Sequence, residues 1–140
     1  MDFVIVTGMS GSGKSVAINA LEDIGYYCVD NIPPNLISVF VDLCATSRES
    51  LEKVAIVVDA RGRKMFEALF VELEKLKESD IPYRILFLDC NDSTLINRYK
   101  ETRRRHPLMG QKVTTLTEAL ILERKLLQEA RANADFVIDT

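Results

Sequence analysis

Several things are scarce in this 140-residue chain, and each scarcity removes a class of function. There is one histidine, His106, which rules out a histidine-based metal cluster and leaves no recognisable Ser-His-Asp triad. The three cysteines, Cys28, Cys44 and Cys90, are odd in number, lack CxxC spacing and lie in or beside apolar runs. They read as buried, reduced thiols suited to the cytosol, not as a disulfide framework or a zinc site. No apolar run approaches the length that spans a membrane. No basic segment with an apolar stretch and cleavage site opens the chain, because Met1-Asp2 leads at once into β-branched residues. The expected location is cytoplasmic, with no membrane partner. Lys and Arg number 18 against 21 Asp and Glu, a net charge of −3, which argues against a surface built as a nucleic-acid platform. Internal repeats and low-complexity tracts are missing too, and the length allows one domain with a real core.

What is present centres on Gly8-Met9-Ser10-Gly11-Ser12-Gly13-Lys14-Ser15. Two glycines separated by four residues and followed by Lys-Ser form the phosphate-binding loop pattern. The four fixed positions coincide by chance in about one chain in two hundred of this length. A glycine-rich turn lets backbone N–H groups close around a polyphosphate because no Cβ blocks the approach. Lys14 would reach the β- and γ-phosphates, and Ser15 would open the next helix and offer its hydroxyl to magnesium. The flanks agree: Phe3-Val4-Ile5-Val6-Thr7 reads as a strand, and Val16, Ile18, Ala20, Leu21 and Ile24 recur as a helical stripe that stops at Gly25.

Further apolar β-branched runs at Tyr26–Asp30, Val54–Asp59, Arg84–Asp89 and Phe136–Asp139 alternate with helical patterns. That alternation predicts βαβ units and a three-layer α/β sandwich around a central, mostly parallel sheet, a P-loop NTPase of the kinase-like type. Ala55-Ile56-Val57-Val58 and Ile85-Leu86-Phe87-Leu88 are apolar enough to be covered on both faces. Helices are expected from about Asn35 with a stripe of Leu36, Ile37, Phe40, Val41 and Leu43, over Lys64–Lys77, from Ser93 to about Arg105, and over Leu116–Asn133.

Each later strand ends in an aspartate: Asp30, Asp59, Asp89 and Asp139. In a parallel sheet those carboxyl ends border the ligand crevice, although aspartate is also an ordinary strand-to-turn residue. Asp59 follows four apolar residues, the setting of the acid that orients magnesium beside a phosphate loop. Asp59-Ala60-Arg61-Gly62 also reads DxxG, a spacing by which some GTPases sense the terminal phosphate. No NKxD sequence occurs, which disfavours a Ras-like GTPase and leaves base preference open. Asp30 is placed where small-molecule kinases keep an acid for the acceptor hydroxyl. Between Arg98 and Lys112 the chain carries Arg98, Lys100, Arg103, Arg104, Arg105 and Lys112 against Glu101 alone. In kinase-like proteins a lid there brings arginines over the transferring phosphoryl group.

With these motifs in hand, the chain resembles the RapZ/YvcJ-like nucleotide-binding proteins. The resemblance rests on Gly8 to Ser15, Cys28-Val29-Asp30-Asn31-Ile32-Pro33-Pro34, Asp59 to Gly62, Glu101-Thr102-Arg103-Arg104-Arg105-His106-Pro107-Leu108 and Ala134 to Thr140. It implies ATP binding at Gly8 to Ser15, GTP binding that involves Asp59, Ala60, Arg61 and Gly62, and slow magnesium-dependent hydrolysis in a regulatory protein. Lys14, Asp59, Arg103 and Arg104 would carry the chemistry, with Ser15 and Asp59 holding Mg2+. Family members are about twice this length, so residues 1–140 are expected to be an N-terminal nucleotide-binding domain. RNA binding is not expected of it alone, and a homo-oligomer of the full-length protein is compatible with the resemblance. The rival expectation is a small-metabolite or nucleoside kinase using the γ-phosphate of ATP, with Asp30 as base.

Overall fold

A computed structural model of the chain describes residues 2–9, 12–30, 32–46, 52–58, 63–79, 81–102, 108 and 115–139. Five strands, β1 (Asp2–Gly8), β2 (Tyr27–Val29), β3 (Lys53–Val57), β4 (Tyr83–Asp89) and β5 (Phe136–Asp139), form one sheet in the order β2-β3-β1-β4-β5. Every pairing is parallel, with Val6 opposite Val57 and Leu86, and Asp89 opposite Asp139. The helices are α1 (Lys14–Asp23), α2 (Ile37–Thr46), α3 (Arg63–Glu78), α4 (Asp92–Thr102) and α5 (Leu116–Ala132). A 3-10 turn over Pro34–Leu36 leads into α2, with proline in its first position where no N–H is needed.

The strand interiors are apolar on both faces because both faces are covered. Phe3 and Ile5 of β1 join Val54, Ile56 and Ile85 under Ile37 and Val41 of α2 and Leu69, Leu73 and Leu76 of α3. Farther along the same side, Phe87 packs with Leu95 of α4 and Leu120, Leu127 and Ala130 of α5. The alternate residues Val4, Val6, Ala55, Val57 and Leu88 turn to the opposite face, where α1 covers them with Ala17, Ile18 and Leu21. The three-layer architecture and the five expected strands are therefore present, with boundaries within a residue or two of those anticipated.

Three expectations need correction. The stripe expected on α1 is narrower than its pattern: Val16 is 72% exposed and Ile24 64%, because among the described residues α1 is the helix that covers this face and only its inner side meets the sheet. On α2 the inward residues are Ile37, Val41 and Cys44, whereas Leu43, and Leu36 of the preceding 3-10 turn, are exposed. Of the thiols, Cys44 and Cys90 are buried but Cys28 is half-buried, and none is in a disulfide. Burial, with the charge of Glu22 adding, pushes the Cys28 thiol up, and burial does the same for Cys44, so both stay protonated. At the sheet edge, Phe136 and Ile138 of β5 register with Leu86 and Leu88, on the α1 face, and are 54% and 47% exposed.

Leu69 is 1% exposed at the centre of the larger core cluster. Leu69→Ala should cost about 2–5 kcal/mol in urea unfolding with an unchanged m-value, while Val16→Ser should stay within about 0.5 kcal/mol of the parent.

Candidate functional site

The first βα turn is shaped by backbone contacts. Gly8 (φ 153°) lies so close to β4 that a Cβ built there would overlap the Leu88 carbonyl oxygen and stand 2.9 Å from the Leu88 amide nitrogen. The adjoining Met9 N–H donates to Leu88 O at 3.1 Å, and Met9 O accepts from Ser12 N–H at 3.0 Å, closing the turn on itself. Gly13 then adopts a left-handed conformation (φ 97°, ψ 32°) as the residue before α1, and its carbonyl accepts from Val16 and Ala17. Side-chain-bearing residues pay about 1–2 kcal/mol for that conformation. Ser12 is fully buried within the turn.

Lys14, the first residue of α1, folds its ammonium over the same turn, donating to Gly8 O at 3.2 Å and Met9 O at 3.3 Å. Ser15 is exposed in the first turn of α1. Gly8, Met9, Ser12, Gly13, Lys14 and Ser15 are thus gathered at the carboxyl edge of the sheet, at one helix N-terminus. Ser10 and Gly11 of the loop lie outside the described residues. So do Asp59, Ala60, Arg61 and Gly62, although Val58 N–H donates to Val6 O at 3.0 Å and carries β3 alongside β1 up to that point. Arg103 and Arg104 lie outside them as well. Asp30 follows β2, which β3 separates from β1, so this exposed acid stands about 10 Å to the side of β1 by strand spacing.

The acid that the structure singles out is Asp89, which the sequence marked only as one of four strand-end aspartates. It is 8% exposed. Its Oδ1 accepts from Cys90 N–H and from Arg124 Nη1, both at 2.8 Å, and its Oδ2 accepts from Arg131 Nε at 3.1 Å. Arg124 further donates from Nη2 to Cys90 O and from Nε to Asp92 Oδ1 at 2.8 Å. One guanidinium therefore joins the end of β4, the first residue of α4 and the middle of α5. Burial alone would raise the Asp89 carboxyl, but the hydrogen bonds from Arg124 and Cys90, then the Arg124 charge and Arg131, outweigh it and hold the group below the usual carboxylate range.

The available signal for this node was spacing. Arg124 and Arg131 are seven residues apart, hence on one side of α5, four residues beyond the buried Leu120 and Leu127 respectively. Helix ends around it are capped by ordinary means: Asn91 Oδ1 accepts from Thr94 N–H at 2.8 Å ahead of α4, and Thr115 Oγ1 accepts from Glu118 N–H at 3.2 Å ahead of α5.

Because the folded Asp89 carboxyl titrates below an unfolded aspartate near 3.9, its contribution to stability is fully present at higher pH and is lost as pH falls through the folded value. Urea unfolding of the parent and Asp89→Asn between pH 3 and 7 should show the parent more stable above about pH 5, with the gap narrowing below about pH 4. A gap that stays constant over the whole range would contradict the pairing.

A family model described as the RapZ-like N-terminal domain matches residues 1–140. A nucleotide-binding protein of Halothermothrix orenii is 54% identical over 140 residues, covering 100% of this chain and 48% of its own length. One of Alkaliphilus oremlandii is 51% identical with the same coverage. The chain thus spans about half the length of the curated relatives it matches. Among solved structures, shikimate kinase from Bacteroides thetaiotaomicron superposes with a TM-score of 0.53 at 13% identity, over 98% of this chain and 85% of its own, a likeness of fold alone. With the strand–loop–helix turn at its centre, the fold is the kinase-like P-loop type, and the chain belongs to the RapZ-like N-terminal domain family.

Proposed function

We propose that these 140 residues are the nucleotide-binding half of a longer regulatory protein, taking ATP and GTP with magnesium and hydrolysing them slowly. The observation that carries the reading is the turn itself. Gly8 is pressed where only hydrogen fits, Gly13 is left-handed at the mouth of α1, and the Lys14 ammonium lies 3.2 Å from Gly8 O and 3.3 Å from Met9 O. That cradle fits a polyphosphate: backbone N–H groups and a helix N-terminus supply the anion site, and nothing lies within 4 Å of where a Cβ on Gly13 would stand. Lys14 exchanges loop carbonyls for phosphate oxygens and neutralises charge at the β- and γ-positions.

Ser15 and Asp59 are the residues assigned to magnesium, which supplies charge neutralisation on the phosphates when bound. Asp59 to Gly62 would border the terminal phosphate. Arg103 and Arg104 would approach it from the segment between α4 and α5, and one of them suffices to stabilise the leaving charge. No glutamine or glutamate is positioned by sequence to orient a water molecule, which accords with slow turnover. The relatives' printed name, nucleotide-binding protein, supports the binding step.

At nucleotide concentrations one hundred times Kd, binding should stabilise the fold by about 2.7 kcal/mol, a rise of roughly 8 °C in Tm for a domain of this size, and Lys14→Ala should lose that rise while keeping its unliganded Tm. With γ-labelled ATP or GTP, magnesium and a small-molecule extract, label should appear slowly as inorganic phosphate, indifferent to the extract and abolished by Lys14→Ala. Rapid transfer to an organic acceptor would instead establish a kinase, with Asp30 the base to test.

A further inference from the structure

Beside the phosphate loop lies a cavity of about 360 Å³ that the nucleotide reading does not use. Its floor is apolar: Met9, Phe87 and Leu127 are each 1% or 2% exposed. Its rim is α5, with Arg124, Lys125, Gln128 and Arg131, and Asp89 at the end of β4. Three cations thus meet a single acid in the lining. The acid is already saturated, accepting from Cys90 N–H and from both arginines.

The donors are unequally employed. Arg124 spends Nη1, Nε and Nη2 on Asp89, Asp92 and the Cys90 carbonyl, and so serves the fold. Arg131 spends only Nε, on Asp89, and its side chain is 53% exposed. Its two terminal nitrogens form the end of a planar fork that no described residue occupies, and a fork of that kind matches the paired oxygens of a carboxylate or phosphate. Lys125 and Gln128 add an ammonium and an amide on the same rim. An ion pair that only tied α5 to β4 would need one arginine for Asp89, and Arg124 already supplies it.

The geometry points to a second ligand pocket here, for a small organic anion whose apolar body rests on Met9, Phe87 and Leu127 and whose phosphate or carboxylate head is held by Arg131, Lys125 and Gln128. The volume is in the range of small-molecule sites, which combine an apolar wall with a few polar groups that set orientation. Asp89 acts as a positioning residue: it takes Arg131 Nε and so presents the two remaining nitrogens together. Met9 belongs both to this floor and to the loop turn, through its N–H to Leu88 O and its carbonyl to Ser12 N–H, so an occupant would touch the loop directly. The pocket goes beyond the nucleotide reading and stands if that reading fails, since every polar group assigned to the ligand lies on α5.

The test uses the 140-residue chain carrying Lys14→Ala, which disables the phosphate loop as an anion site. Phenyl phosphate and benzoate serve as probes, with inorganic phosphate and phenol as half-ligands, followed by calorimetry and by amide NMR shifts at Met9, Cys90, Lys125 and Gln128. At least one probe should bind tenfold or more tightly than either half-ligand and shift those amides, and the tighter of the two identifies the head group. Lys125→Glu, at an exposed position, should weaken it at least tenfold with Tm unchanged, and Arg131→Ala should weaken it at least tenfold while also lowering Tm through the lost Asp89 pair. Absence of binding by both probes, shifts confined to other residues, or affinity undiminished by Lys125→Glu and Arg131→Ala would overturn the pocket. None of those results touches nucleotide-dependent stabilisation of the parent chain, which is read separately.

Discussion

Much of this structure depends on one close approach, the backbone of Gly8 against the carbonyl of Leu88 at the carboxyl edge of the sheet. Without a Cβ, β1 stays paired with β4 through to its last residue, Gly8 opposite Leu88, and the chain turns into the loop while still bonded to its neighbour through Met9 N–H. The turn is therefore anchored on a strand buried on both faces, not suspended from the surface. The Met9 and Ser12 N–H groups at the two ends of the turn are thereby fixed by backbone hydrogen bonds. Gly13 completes the device at the other end, because only a left-handed residue there lets the loop enter α1 with Lys14 facing back across it.

Asp89 extends the same logic to the far side of β4. Two guanidiniums separated only by solvent repel each other, and the half-exposed Arg131 would gain little from an isolated surface ion pair. A carboxylate that is 8% exposed and also bonded to Cys90 N–H changes that balance, since its geometry is held by the backbone and both arginines join it without further ordering of the acid. Arg124 then ties in Asp92 and the Cys90 carbonyl. The first turn of α4 and the middle of α5 are thereby set relative to the loop, because the residue preceding this acid is the Leu88 that receives Gly8 and Met9.

The sheet and its helices were legible because hydrophobic period and length agreed throughout: continuous apolar runs of four or five residues between glycine and proline breaks admit little besides covered parallel strands. The phosphate loop was legible because its chemistry needs particular residues at particular spacing. What escaped depends on three dimensions. That Val16, Leu36 and Leu43 lie outside while Val41 and Cys44 lie inside reflects which face of each helix meets the sheet, and a stripe several residues wide leaves that rotation ambiguous by one position. The pairing of Asp89 with Arg124 and Arg131 joins residues 35 and 42 positions apart, and no local pattern distinguishes Asp89 from Asp30 or Asp139.

The charge distribution draws these features together. The chain as a whole carries −3, yet Lys14, Arg124, Lys125 and Arg131 cluster around the loop and the end of β4. Grouped cations concentrate small anions locally, and the field is strongest where low-dielectric walls such as Phe87 and Leu127 confine it. By charge count alone Asp89 works against this, since it cancels part of the charge. Its effect is the reverse in structural terms: by satisfying Arg124 and one nitrogen of Arg131 it allows the cations to be packed together at all, and leaves a net positive rim whose remaining donors are oriented. A buried acid at the strand end, fixed by the Cys90 N–H, thus holds both arginines of α5 in place.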